Sequence, residues 1–98
     1  MHDTMKDTKK LHLKVKYKKV LPLDLTLKKY FYNLRAHKKV KQLGLKDLKI
    51  QHHQDSHVEL EVIGEKSQLW EVIKWSKNVP VTYKVKEISF QFVDVVIA

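Results

Sequence analysis

Cysteine is absent from the 98 residues, which excludes disulfide scaffolds, thiolate zinc sites and cysteine nucleophiles at once. Glycine and proline number two each, and 43% of the residues are apolar, a balance that specifies a folded chain of one-domain size and not a disordered one. A domain of this length buries well over half of its unfolded surface, so its core stands without metal or disulfide. No apolar run approaches the roughly 18 residues of a membrane span. Met1 to Lys10 is polar and lacks the apolar segment of a signal peptide. The expectation is a cytoplasmic protein that does not engage a membrane.

Arginine is nearly absent as well. Nineteen of the 20 basic residues are Lys, whereas specific phosphate and base recognition recruits the planar fork of Arg. The formal net charge of +9 is unevenly divided: residues 1 to 50 hold 14 Lys and one Arg against four acids, and residues 51 to 98 hold five Lys against seven acids. A basic half of this kind either solvates the fold or attracts nucleic acid, acidic protein or an anionic small molecule.

What is present reads as six elements. Met1 to Lys9 shows no periodicity and is expected to be a flexible tail, with a single domain over residues 10 to 98. From Lys10 to Lys18, Leu11, Leu13, Val15 and Tyr17 alternate with His12 and lysines, the pattern of a strand with one wet face. Pro22 interrupts that strand, and Asp24 is placed to cap a helix. Leu25, Tyr32, Ala36, Val40 and Leu43 then recur at helical spacing, which predicts a helix from Leu25 to Leu43 stopped by a left-handed Gly44.

A second strand is predicted around Leu48 to His52, then a turn through Gln54, Asp55 and Ser56. A third strand turns Val58, Leu60 and Val62 to the core and Glu59 and Glu61 to solvent, and Gly64 ends it. Lys66 to Lys77 reads as a second helix with Leu69, Val72, Ile73 and Ser76 on one face, flanked by Trp70 and Trp75. In the last strand, Tyr83 to Val93, the apolar residues change parity between Val85 and Ile88. A bulge near Lys86 or Glu87 brings Tyr83, Val85, Ile88, Phe90 and Phe92 to one face.

The order strand, helix, strand, strand, helix, strand suits an α+β sandwich in which two helices cover one face of a four-stranded antiparallel sheet, the ferredoxin-like βαββαβ arrangement. In it the first and third strands are central neighbours. Lys14 and Lys16 are then expected across from Glu59 and Glu61, a structural use of the charges that needs no ligand.

Gly64, Leu69, Ile73, Trp75, Pro80, Val85 and Ile88 follow one another without a gap in a spacing that resembles the acylphosphatase family, and Leu43, Gly44 and Leu45 resemble its Leu-Gly-Leu after the first helix. The resemblance extends over residues 11 to 92 and implies the same fold. For activity, it implies hydrolysis of carboxyl-phosphate anhydrides without a cofactor. The family holds phosphate in a glycine-rich loop ending in Arg, because closely approaching backbone amides plus a fixed cation make the cradle, and an Asn on the second strand positions water. Lys18 to Leu27 contains neither Gly nor Arg, and the only Arg, Arg35, falls inside the predicted first helix. Counting from Gly44 places Asn33 at the family's Arg position and Gln51 at its Asn position. Gln keeps the carboxamide but displaces it by a methylene.

No catalytic residue is therefore nominated. Gln51 remains the candidate family-site equivalent, and Lys10, Lys14, Lys16, Lys18 and Lys19 form a candidate basic patch. The expected role is non-enzymatic, binding a protein or an anionic partner; the alternatives are an acylphosphatase-type hydrolase and a weak electrostatic nucleic-acid binder. An RNA-recognition sheet stacks bases on aromatic side chains of its open face, and the wet faces here offer Lys, His, Glu, Ser and Gln. His52, His53 and His57 raise a metal site, but His52 and His53 alternate across the strand and Asp55 is the only nearby carboxylate outside the strands, so no metal and no cofactor are expected. Val95, Val96 and Ile97 either lengthen the last strand or support a weak homodimer through a sheet edge.

Hydrolysis of an aryl acyl phosphate is expected to stay near background. A steady-state assay that found turnover of about 1 per second or more, abolished by Gln51→Ala, would overturn that expectation.

Overall fold

The computed structural model describes residues 8–18, 22–53, 57–77 and 84–95. Its elements run β1 (Thr8–Tyr17), α1 (Pro22–Gln42), β2 (Lys46–His53), β3 (His57–Glu65), α2 (Lys66–Ser76) and β4 (Val85–Asp94). They form one antiparallel sheet in the order β2-β3-β1-β4, with both helices packed on one face. This is the βαββαβ sandwich expected from the sequence, with β1 and β3 in the centre.

The core follows from the alternation of those two strands. Leu11, Leu13, Val15 and Tyr17 of β1 and Val58, Leu60 and Val62 of β3 supply half of the 14 buried apolar side chains among the described residues. Tyr32, Ala36 and Val40 of α1 and Leu69, Val72 and Ile73 of α2 close over them. Full burial of a Leu, Val or Ile side chain contributes about 1.5–3 kcal/mol, so the central strands and the two helix stripes carry most of the hydrophobic stabilisation. The buried face of α2 is the predicted one, including Ser76, whose hydroxyl donates to the Ile73 carbonyl at 2.7 Å.

Several boundaries differ from the sequence reading, each for a local reason. β1 starts at Thr8, inside the stretch read as tail, because Thr8 and Lys9 still face Glu65 and Gly64 of β3. Helix α1 starts at Pro22, where the fixed φ and missing N–H of proline suit a first helical position. Asp24 is thus within the helix and not its cap. Gly64 lies within β3, which continues to Glu65 and passes directly into α2. Register separates the charges differently too: Lys14 faces Glu59, but Lys16 faces His57, and Glu61 faces His12.

The end of α1 is as the sequence predicts. Gly44 has φ +70; its N–H donates to the Lys41 carbonyl at 3.1 Å and that of Leu45 to Val40 at 3.0 Å. This is the paired Schellman arrangement, in which a left-handed glycine satisfies the last carbonyls. Gly64 serves by close approach: a Cβ there would lie 2.0 Å from Leu45 Cδ2.

Strand β4 carries the expected irregularity. Lys16 faces Glu87 while Tyr17 faces Val85, so Lys86 is the extra residue. Val85, Ile88 and Phe92 pack against the core. Phe90 shares their face but is 41% exposed, against the expectation of a core residue. The helices cover β2, β3 and β1; over this edge strand Trp70 places its ring 5.2 Å from Phe90 and 5.4 Å from Phe92, and Lys66 Nζ lies 5.2 Å from the Phe92 ring. Tyr83, Val96, Ile97 and the turn of residues 54–56 lie outside the described residues.

Gly64→Ala is expected to lower stability by about 1–3 kcal/mol through overpacking against Leu45, and Gly44→Ala by about 1–2 kcal/mol because alanine resists the left-handed region. Urea denaturation checks both; an unchanged midpoint for Gly64→Ala would show that Leu45 withdraws freely.

Candidate functional site

Strand alternation sends the polar residues of β1 and β3 to the face of the sheet opposite the helices. There the candidate basic patch is interleaved with acids. Lys14 stands opposite Glu59, and Lys16 lies between His57 and Glu87. Glu61 has His12 Nε2 at 3.3 Å and Lys10 Nζ at 3.8 Å; Lys9, which shares the parity of Leu11 and not of this face, pairs with Asp94 at the strand ends. Glu59, Glu61 and Glu87 among the lysines give the open face a mixed field instead of a positive one. Lys18 is exposed just beyond β1, its N–H donating to the Lys84 carbonyl at 2.9 Å. Lys19 lies outside the described residues.

Gln51 is exposed on the same open face, opposite Glu59 in register. With Lys49, Glu59 and Glu61 it lines a shallow concavity of about 270 Å³. Two carboxylates outnumber the single lysine beside the Gln51 carboxamide, so this lining disfavours phosphate. Asn33 lies on α1, on the helical side of the sheet, so the two positions that correspond to the family's catalytic pair are on opposite faces. Asn33 meets His52 instead, the inward neighbour of Gln51, whose Nε2 donates to Asn33 Oδ1 at 2.9 Å.

This contact sits in an aromatic cluster under α1. The Tyr32 ring is edge-on to His52 at 5.9 Å and tilted against Trp75 at 5.5 Å. Burial, with Tyr17 adding to it, pushes the Tyr32 hydroxyl far above its ordinary range, so it stays protonated. His52 is pulled down to about 4, by burial first and then by Lys29 and His53, so it is neutral near pH 7. The cluster is a packed interface that holds α1 on β2. Within it, no nucleophile or fixed cation faces an open cavity.

His53 and His57, unlike His52, share the open face and stand opposite each other in register. Asp55, the carboxylate considered with them, lies outside the described residues.

The feature the sequence reading passed over is the outer face of α1. Leu27, Tyr30, Phe31 and Leu34 are exposed by 58%, 59%, 38% and 50%. They repeat at the i, i+3, i+4, i+7 spacing of one helical stripe, turned away from the buried stripe of Tyr32, Ala36 and Val40. Arg35 lies over the Phe31 ring at 5.8 Å, and Lys28, Lys29, Lys38, Lys39 and Lys41 belong to the same helix, whose only acid is Asp24. The signal was in the sequence: α1 has two apolar stripes, and a surface helix needs one.

No protein-family model matches the sequence, and neither does any curated protein. Among solved structures, an acylphosphatase from Coxiella burnetii superposes with a TM-score of 0.70 over 100% of this chain and 94% of its own, at 19% identity. A candidate PII-like signaling protein from Thermus thermophilus gives 0.47, at 18% identity and 88% coverage of each chain. The fold is acylphosphatase-like, a small ferredoxin-like sandwich, and among the described residues no helix is long and apolar enough to cross a membrane.

Because the folded pKa of His52 is below its unfolded value of about 6.5, the unfolded chain takes up this proton first as pH falls. Its neutral form is fully accommodated above pH 6.5, and stability declines from there toward pH 4. Urea midpoints at pH 7 and pH 4.5 should diverge more in the wild type than in His52→Gln, which retains a donor toward Asn33. Equal declines would count against this assignment.

Proposed function

We propose that this chain is a non-catalytic acylphosphatase-like domain that works in the cytoplasm by docking an acidic protein partner on the outer face of α1. The observation that carries this reading is the exposed stripe Leu27, Tyr30, Phe31 and Leu34 on a helix rich in lysine. Anchors at i, i+3, i+4 and i+7 are what a helix offers to an apolar groove, and the basic flanks select a groove rimmed by carboxylates. A second copy of the chain would bring like charges together around the same stripe.

Three further observations support it. Residues 22 to 27, part of the stretch the family uses as its phosphate cradle, are the first turns of a helix. Asn33 and Gln51 lie on opposite faces of the sheet. Among the described residues the open face displays no Phe, Tyr or Trp on which a nucleotide base would stack; there Lys10 pairs with Glu61, and Lys14 and Lys16 stand opposite Glu59 and Glu87.

Fluorescence anisotropy at physiological salt separates the readings, using a labelled acidic peptide with Leu at i, i+3, i+4 and i+7, polyglutamate, and a short single-stranded RNA. The amphipathic peptide is expected to bind most tightly, and Leu34→Asp, a change at a half-exposed position with little cost to folding, to weaken it by about tenfold, or 1.4 kcal/mol. Tighter binding of the RNA, or indifference to Leu34→Asp, would overturn the proposal.

A further inference from the structure

At the hairpin end of β2 and β3 the open face carries a compact set of nitrogen and oxygen donors. His53 and His57 face each other across the ladder, their rings stacked 4.4 Å apart and 14° from parallel. Glu59, two residues farther along β3, projects from the same face, and its Oε2 contacts His53 Nε2. One donor atom from each of the three lies within 4.8 Å of the other two. We propose that His53, His57 and Glu59 form a binding site for a single zinc-type transition-metal ion.

The ladder supplies the preorganisation. Residues directly opposite on antiparallel strands hold their Cβ atoms about 4.5–5.5 Å apart, so two imidazoles reach a common point without backbone movement. Bonds of about 2.0–2.2 Å to one ion require donors within about 4 Å of each other; side-chain rotations alone close the set. All three residues are partly buried, which limits the competing rotamers. Two histidines and a carboxylate leave the fourth tetrahedral position to water or an exogenous ligand.

The surroundings select the metal. Lys14 faces Glu59 and Lys16 faces His57, so these neighbours add no further oxygen ligand, and one carboxylate is too few for calcium or magnesium. Imidazole donors suit zinc, copper(II) and nickel(II). His52, the neighbour in sequence, turns to the other face and donates to Asn33, so it takes no part. The site is independent of the docking face proposed for α1.

The test is zinc titration of the full chain at neutral pH against a chromophoric chelator, with the histidine ring resonances followed by nitrogen-15 NMR. One zinc per chain is expected, with shifts confined to His53 and His57 while His12 and His37 stay in place. His53→Ala and His57→Ala should each weaken binding at least tenfold, Glu59→Gln severalfold, and calcium and magnesium should give no response. Should the alanine variants lose their circular dichroism signal, the wild-type resonance shifts still decide the matter. No zinc uptake at about 100 μM metal, shifts centred on other histidines, or an affinity indifferent to the His53 and His57 substitutions, meaning an adventitious ion only, would overturn the site.

Discussion

β1 is held between two antiparallel neighbours, and its strict alternation sets the face of every residue around it. A slip of one residue would turn Leu11, Leu13, Val15 and Tyr17 out to water and Lys10, His12, Lys14 and Lys16 into the core. Both ladders are fixed by that penalty: β3 pairs so that Val58, Leu60 and Val62 lie beside the β1 apolar row, and β4 absorbs Lys86 as an extra residue so that Val85 and Ile88 both reach it. The helices then have one place to go. The polar residues inherit the opposite face by default, which is why lysine, histidine and glutamate meet there in rows.

Charge is accordingly sorted by element. On the sheet, cations and carboxylates face each other at neighbouring ladder positions and largely cancel. On α1 the cations accumulate on one helix with a single acid, Asp24, beside an apolar stripe. The lysines of β1 and β2 are thus offset by the acids of β3 and β4, which leaves the sheet nearly neutral, while α1 stays strongly basic.

The elements legible in the sequence were those whose pattern answers to one surface. The alternation of β1, the buried face of α2 and the glycine stop after α1 each reflect a local rule, and each is present as read; the bulge in β4 followed from a parity change that only an extra residue repairs. Register was harder, since the distance between Lys16 and Glu61 depends on where the β1 and β3 ladders begin. Phe90 was misjudged because its exposure depends on helix coverage of the sheet edge. The cluster of His53, His57 and Glu59 is formed by cross-strand pairing, a relation between strands that the alternation of one strand does not contain. The outer stripe of α1 was readable but hidden by the inner one.

The junction after α1 ties the two helices into one mechanical unit. Gln68 of α2 donates through Nε2 to the Leu43 carbonyl at 2.7 Å, and Leu45, the first residue past the turn, fills the notch that Gly64 leaves at the base of α2. The C-terminal end of α1 is therefore pinned to the start of α2 by a hydrogen bond and a fitted side chain. The ends of both helices therefore share one packed joint, and a substitution at Gly44, Leu45, Gly64 or Gln68 is felt by α1 and α2 together.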